Sequence, residues 1–195
     1  LELSYCPDIG TAIRELRLGE HDSSIRHVVF VGSCIREGDS SHLHIGNELE
    51  GIELVGMVDS VTMRRLLEAV LGAKLTTLKI NYCPLDDSCI QLIRKLCENV
   101  LLQNVTLIAD LYEMHHSYMQ QALPELARLR DLRSLGLSFG PMLREELSAL
   151  DCILQRKTLS ELQLRGYSNP NLSSPLPDHA ADEALFSTLH GIDLH

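Results

Sequence analysis

The sequence predicts an α/β fold, a single curved solenoid with parallel strands inside and helices outside, on three observations. One apolar motif returns along the whole chain, its copies stand at near-constant spacing, and the periodicity between copies is that of a helix. The clearest copy is LTTLKINYC, residues 75 to 83, in which Leu75, Leu78, Ile80 and Cys83 fall at offsets 0, 3, 5 and 8. The apolar-x-apolar step inside it is a short strand that turns alternate side chains inward. Stacking such strands in parallel buries a core that no single copy encloses.

The strand copies follow in order. Leu1, Leu3 and Cys6 form a first copy without its front. In IRHVVFVGSC, residues 25 to 34, the register is either Ile25, Val28, Phe30 and Ser33 or one residue later with Val29, Val31 and Cys34. The earlier one is preferred because it keeps the spacing even. Then come Leu49, Ile52, Leu54 and Met57; the copy at 75 to 83; Leu102, Val105, Leu107 and Asp110; Leu132, Leu135, Leu137 and Gly140; Leu159, Leu162, Leu164 and Tyr167; and last Leu189, Ile192 and Leu194. The anchors Leu1, Val28, Ile52, Leu78, Val105, Leu135, Leu162 and Ile192 lie 24 to 30 residues apart. Residues 1–195 are therefore expected to form one domain of about seven to eight repeats.

Helices are expected between the strands. After Asp87 as N-cap, Ile90, Ile93, Leu96, Cys97 and Val100 draw an apolar stripe along one helix face, which makes Cys89 and Cys97 small core residues. Similar stripes mark 60 to 72 and 141 to 157, the second with Pro141 in its first turn. The run 114 to 130 contains Pro124, where a break is expected. The stretch 168 to 178, rich in Pro, Ser and Asn, reads as an inserted loop before a helix at 182 to 191; an unmodified spacer is the expectation there, with Ser174 ahead of Pro175 as the alternative, a phosphorylation site. Residues 36 to 51 carry a poor helix signal.

Composition narrows the function. The 195 residues are 45% hydrophobic, enough to bury a sizeable core. With 27 Asp and Glu against 17 Lys and Arg the net charge is -10, and no basic stretch tracks a phosphate backbone, so nucleic acid is not an expected partner. Membrane spans need about 18 consecutive apolar residues, and none occur. Six cysteines are too sparse for a disulfide scaffold and read as reduced thiols, hence a cytoplasmic or nuclear location. Nucleophile elbows, phosphate-binding loops, dinucleotide glycine fingerprints and HExxH zinc motifs are missing, and no cofactor is expected. The pairs His42 and His44, and His115 and His116, supply the alternative reading, an enzyme or metal-binding protein, but they lack Cys or carboxylate partners at ligand spacing.

The repeat, its period and the Cys at the ninth position of two copies (Cys6 and Cys83) resemble the leucine-rich repeat family, in particular its ribonuclease-inhibitor-like and cysteine-containing branches. In that family a buried Asn or Cys at the ninth position satisfies backbone groups of the turn. Met57, Asp110, Gly140 and Tyr167 depart from it, so irregular turns are expected there. The resemblance implies a non-catalytic protein-protein interaction module, the recognition arm of a larger protein. Two settings fit: the substrate-recruiting repeats of an F-box ubiquitin-ligase receptor, or the sensor repeats of a NOD-like innate immune receptor. The chain begins and stops inside a strand motif, so it is expected to be a segment whose cut faces are covered by flanking repeats or a domain of the same chain.

The resemblance also places binding on the strand face that alternates with the buried positions. The residues singled out there are Tyr5, Glu53, Lys79, Asn81, Tyr82, Phe139, Gln163 and Arg165, with Thr106, Ile108 and Ser138 in the wider lining. Outward aromatics beside strand-borne cations have the composition of an interface centre. The charge of -10 points to a partner that is basic overall, while Lys79 and Arg165 imply a local acidic contact.

Overall fold

The computed structural model describes residues 1–18, 20–35, 43–99, 101–108, 122–139 and 143–166, with Phe139 and Gly166 described in backbone only. Strand β1 (Glu2–Ser4) is followed by α1 (Ile9–Leu16), β2 (His27–Val31), β3 (Gly51–Val55), α2 (Ser60–Ala69), β4 (Thr77–Asn81) and α3 (Asp87–Cys97). Then come β5 (Asn104–Ile108), α4 (Leu123–Leu126), β6 (Ser134–Phe139), α5 (Arg144–Leu154) and β7 (Glu161–Gly166). The seven strands form one sheet, every pair parallel, in the same order as in the chain.

The register aligns the anchors. Val28 faces Ile52, Ile52 faces Leu78, then Val105, Leu135 and Leu162 follow across the sheet. Two residues on, Leu3, Phe30, Leu54, Ile80, Leu107, Leu137 and Leu164 form a second row. Both rows join the apolar faces of the helices in one continuous core, with Ile9 and Ile13 of α1, Met63, Leu66 and Leu67 of α2, Ile90, Ile93 and Leu96 of α3, and Ile153 of α5. Of the two registers open at 25 to 34, the structure takes the one with Val28 and Phe30 inside and Val29 and Val31 half-exposed on the opposite face.

Helix starts are set by aspartates. Asp8, Asp59 and Asp86 cap α1, α2 and α3 by accepting from the backbone N–H three residues on, those of Thr11, Thr62 and Cys89. The cap of α3 is Asp86, not Asp87: Asp86 keeps an extended backbone and takes the Cys89 N–H at 2.8 Å, while Asp87 is already helical. Helix α5 starts at Arg144, where Glu146 accepts from the Leu143 N–H; Pro141 lies outside the described residues. Helix α1 has no counterpart among the expected helices. Pro124 lies in the first turn of α4, a place where its missing N–H has no cost, and residues 114 to 121 of the expected run lie outside the described residues. Residues 43 to 50 contain no helix.

The ends of β1 to β4 turn in the same way. Tyr5, Gly32, Gly56 and Tyr82, at equivalent places after β1 to β4, all have positive φ, from 52° to 56°. Each donates its N–H to the neighbouring strand, to Val31, Val55, Asn81 and Ile108 respectively. At the ninth position Ser33 takes the Cys6 N–H at 3.0 Å and donates to the Val31 carbonyl at 2.9 Å. The Cys83 thiol reaches the Leu54 and Asn81 carbonyls. Met57 fills the same position as a buried apolar residue.

A candidate partner-binding face

All-parallel sheets ordinarily have both faces covered. Here helices and core take one face. On the other, Glu2, Val29, Glu53, Lys79 and, one pleat on, Ser4, Val31, Val55 and Asn81 are exposed or half-exposed across β1 to β4. Gln163 and Arg165 are exposed on the same face at β7. Between them Ile108 and Ser138, expected in the outward lining, are buried. The face is therefore open at β1 to β4, at Thr106 of β5 and again at β7, and closed at Ile108, Gly136 and Ser138.

The sequence-selected residues fall into a connected group. Arg165 Nη1 donates to the Tyr82 hydroxyl, and the guanidinium carbon stands 5.8 Å from the ring centre. With the Gln163 amide turned so that its oxygen faces Arg165, that oxygen accepts from Nε at 3.2 Å and Nη2 at 3.0 Å. Tyr82 follows β4 and Arg165 sits on β7, three strands apart, about 14 Å in an idealised sheet. Their side chains therefore lie along the sheet, spanning β5 and β6 at the level of the buried Ile108 and Ser138. On the other side Asn81 Nδ2 donates to Glu53 Oε1 at 3.3 Å. Tyr5, 78% exposed, stands apart at the β1 edge with its ring over Gly32. Phe139 ends β6 opposite Gly166; its side chain lies outside the described residues.

Charge on this face is unevenly compensated. Its carboxylates are turned to neutral donors: Glu2 accepts from Ser4, Glu53 from Asn81 and Glu161 from Ser134. The ion pairs among the described residues involve Arg17, His27, Lys74 and Arg94, and neither Lys79 nor Arg165 takes part in one. Lys79, half-buried between Glu53 and Thr106, makes no hydrogen bond with a described residue.

Sequence reasoning placed Thr77 and Glu161 on this face but missed His27, Asn104 and Ser134 of the same row at the strand starts, where His27 covers Gly51, Asn104 donates to Thr77 and Ser134 to Glu161. A polar residue ahead of the anchors Val28, Leu78, Val105, Leu135 and Leu162 was the available signal. Burial, with the Glu125 charge adding to it at Cys97, pushes the thiols of Cys89 and Cys97 up to about 12, so both stay protonated packing groups. Cys152 is exposed on α5 and Cys34 half-buried. His44 is exposed, whereas His42, His115, His116, Ser174 and the 168 to 178 loop lie outside the described residues. No group of three metal-ligating side chains occurs among the described residues, and no helix among them is long and apolar enough to cross a membrane.

Fold and face together define a class, an α/β protein whose all-parallel sheet is open on part of one side. Comparison of the chain with protein-family models, with curated proteins and with solved structures gave no match.

Proposed function

We propose that this chain is a leucine-rich repeat solenoid acting as a non-catalytic protein-protein interaction module, the recognition arm of a larger cytoplasmic or nuclear protein. The observation that carries the reading is the uncovered face of a parallel sheet at β1 to β4, lined by exposed and half-exposed charged, aromatic and valine side chains. Such a surface is what a partner covers. The repeat reading draws support from anchors in register across the sheet and from Ser33 and Cys83 binding backbone groups of their turns. Ubiquitin-ligase substrate receptors and NOD-like sensors are the two settings. An F-box bundle in the flanking sequence selects the first, a nucleotide-binding domain the second.

The net charge of -10 favours a partner that is basic overall, since long-range attraction acts on the whole charge. The test is a pull-down from cell extract with the wild type beside a Tyr82→Ala, Phe139→Ala double variant. Loss of a specific partner supports binding through this face. Full recovery of every partner by the folded double variant moves the site to the flanks or to the 168 to 178 loop.

A further inference from the structure

Two cations stand on the candidate face of an acidic chain without a carboxylate partner among the described residues, although three carboxylates share that face. Glu2, Glu53 and Glu161 are each engaged by a neutral side-chain donor instead. Arg165 is held in place: the Gln163 oxygen takes Nε and Nη2, and the Tyr82 hydroxyl takes Nη1. A guanidinium carries five N–H groups, so one N–H on each terminal nitrogen remains for a ligand. Rotamer freedom that a long cationic side chain would lose on binding has already been lost here.

Lys79 adds a second charge on β4, the strand that Tyr82 follows, and it is half-buried, where an ammonium gains more from an incoming anion than it does in bulk water. Gly136, between Thr106 and Gln163 in the same outward row, presents no side chain; a Cβ there would meet the Thr106 methyl at 2.7 Å. The Thr106 side chain fills the space over Gly136, which is buried.

We propose that Lys79, Tyr82 and Arg165 form an anion subsite that takes an aspartate or glutamate carboxylate from an acidic segment of the protein partner. The inference rests on the proposed binding face and deepens it. Long-range attraction by the net charge still brings in a basic partner; the subsite fixes where one acidic stretch of it lands and in which orientation. A chain of charge -10 repels acidic peptides overall, so any binding of one reports a local site.

The experiment titrates a short fluorescein-labelled peptide of alternating Glu and Gly against the purified chain at low ionic strength, read by anisotropy. Saturable binding is expected, weakened about tenfold or more by Arg165→Gln and by Lys79→Gln, unchanged by Lys95→Gln on the exposed side of α3, and lost in high salt. Tyr82→Phe, which keeps the ring and frees Arg165, should weaken it less than Arg165→Gln does. Absence of binding, or binding indifferent to Arg165→Gln and Lys79→Gln, overturns the proposal, as does a peptide that binds only with phosphoserine in place of Glu. If the acidic peptide fails while the pull-down still loses its partner in the double variant, the anion subsite falls and the binding face stands; if both fail, the face falls too.

Discussion

Tyr82 holds a backbone conformation, φ 56°, that Gly32 and Gly56 adopt at the equivalent place with φ 54° and 55°. A side chain in this region costs about 1 to 2 kcal/mol. Tyr82→Ala loses the ring and keeps the strain, while Tyr82→Gly loses the ring and the strain together. We therefore expect Tyr82→Gly to be more stable than Tyr82→Ala by ~1 kcal/mol in urea denaturation, an inversion of the usual order in regular elements. A result with alanine the more stable would mean that the turn relaxes. Leu78, fully buried in the anchor row, gives the opposite kind of test: Leu78→Asp puts a carboxylate in the core at a cost of several kcal/mol, and the cooperative thermal transition should disappear. At this scale the sequence was legible where burial decides and ambiguous where both faces are apolar. Val28 to Val31 are all apolar, so only spacing selected the register. The Tyr82 to Arg165 contact joins residues 83 positions apart, and rotamers lying across two intervening strands leave no mark in a linear pattern.

At the scale of elements, caps and one ion pair set the local ledger. Burial pushes the Asp86 carboxyl up, but the Cys89 N–H, the Ser60 side chain and the Arg64 charge outweigh it and hold the group below the ordinary carboxylate value. A carboxyl lowered in the folded state contributes its stability in full above its unfolded pKa and loses it as pH falls through the folded one. Asp86→Ala should therefore cost about 1 kcal/mol at neutral pH, with the gap to wild type closing below about pH 4 in thermal melts followed by circular dichroism. Between α3 and α4, Arg94 donates to Glu125 Oε1 at 2.8 Å, and the other Glu125 oxygen is buried without a hydrogen bond. Arg94→Ala leaves a buried carboxylate alone and should destabilise by roughly 2 kcal/mol, less than a fully buried pair because Arg94 is partly exposed. Adding Glu125→Leu should return most of that loss; equal additive losses would show the pair to be uncoupled. Helix stripes were readable at α2, α3 and α5 because their apolar faces repeat over two or three turns. Helix α1 escaped although Ile9, Ile13 and Leu16 stand at i, i+4 and i+7, because eight residues repeat the stripe over only two turns, and Asp86 beside Asp87 made the cap ambiguous by one position.

Across the whole molecule, chain order and sheet order coincide, so each strand pairs only with the strand before and the strand after it. That arrangement has a mechanical consequence. With handles at Leu1 and Gly166 and tension applied in an optical trap, no described strand lies between two others distant in sequence, and apart from side-chain contacts such as Tyr82 to Arg165 no backbone pairing among the described residues locks the sheet as a block. The outermost unit should peel first, exposing the next, so that force and extension trace a sawtooth in which each release lengthens the chain by about 9 nm. A single rupture of the whole sheet would contradict this. A ligand laid across several strands would act as a brace, and the peeling force should rise on the strands it spans and stay the same on those it leaves bare.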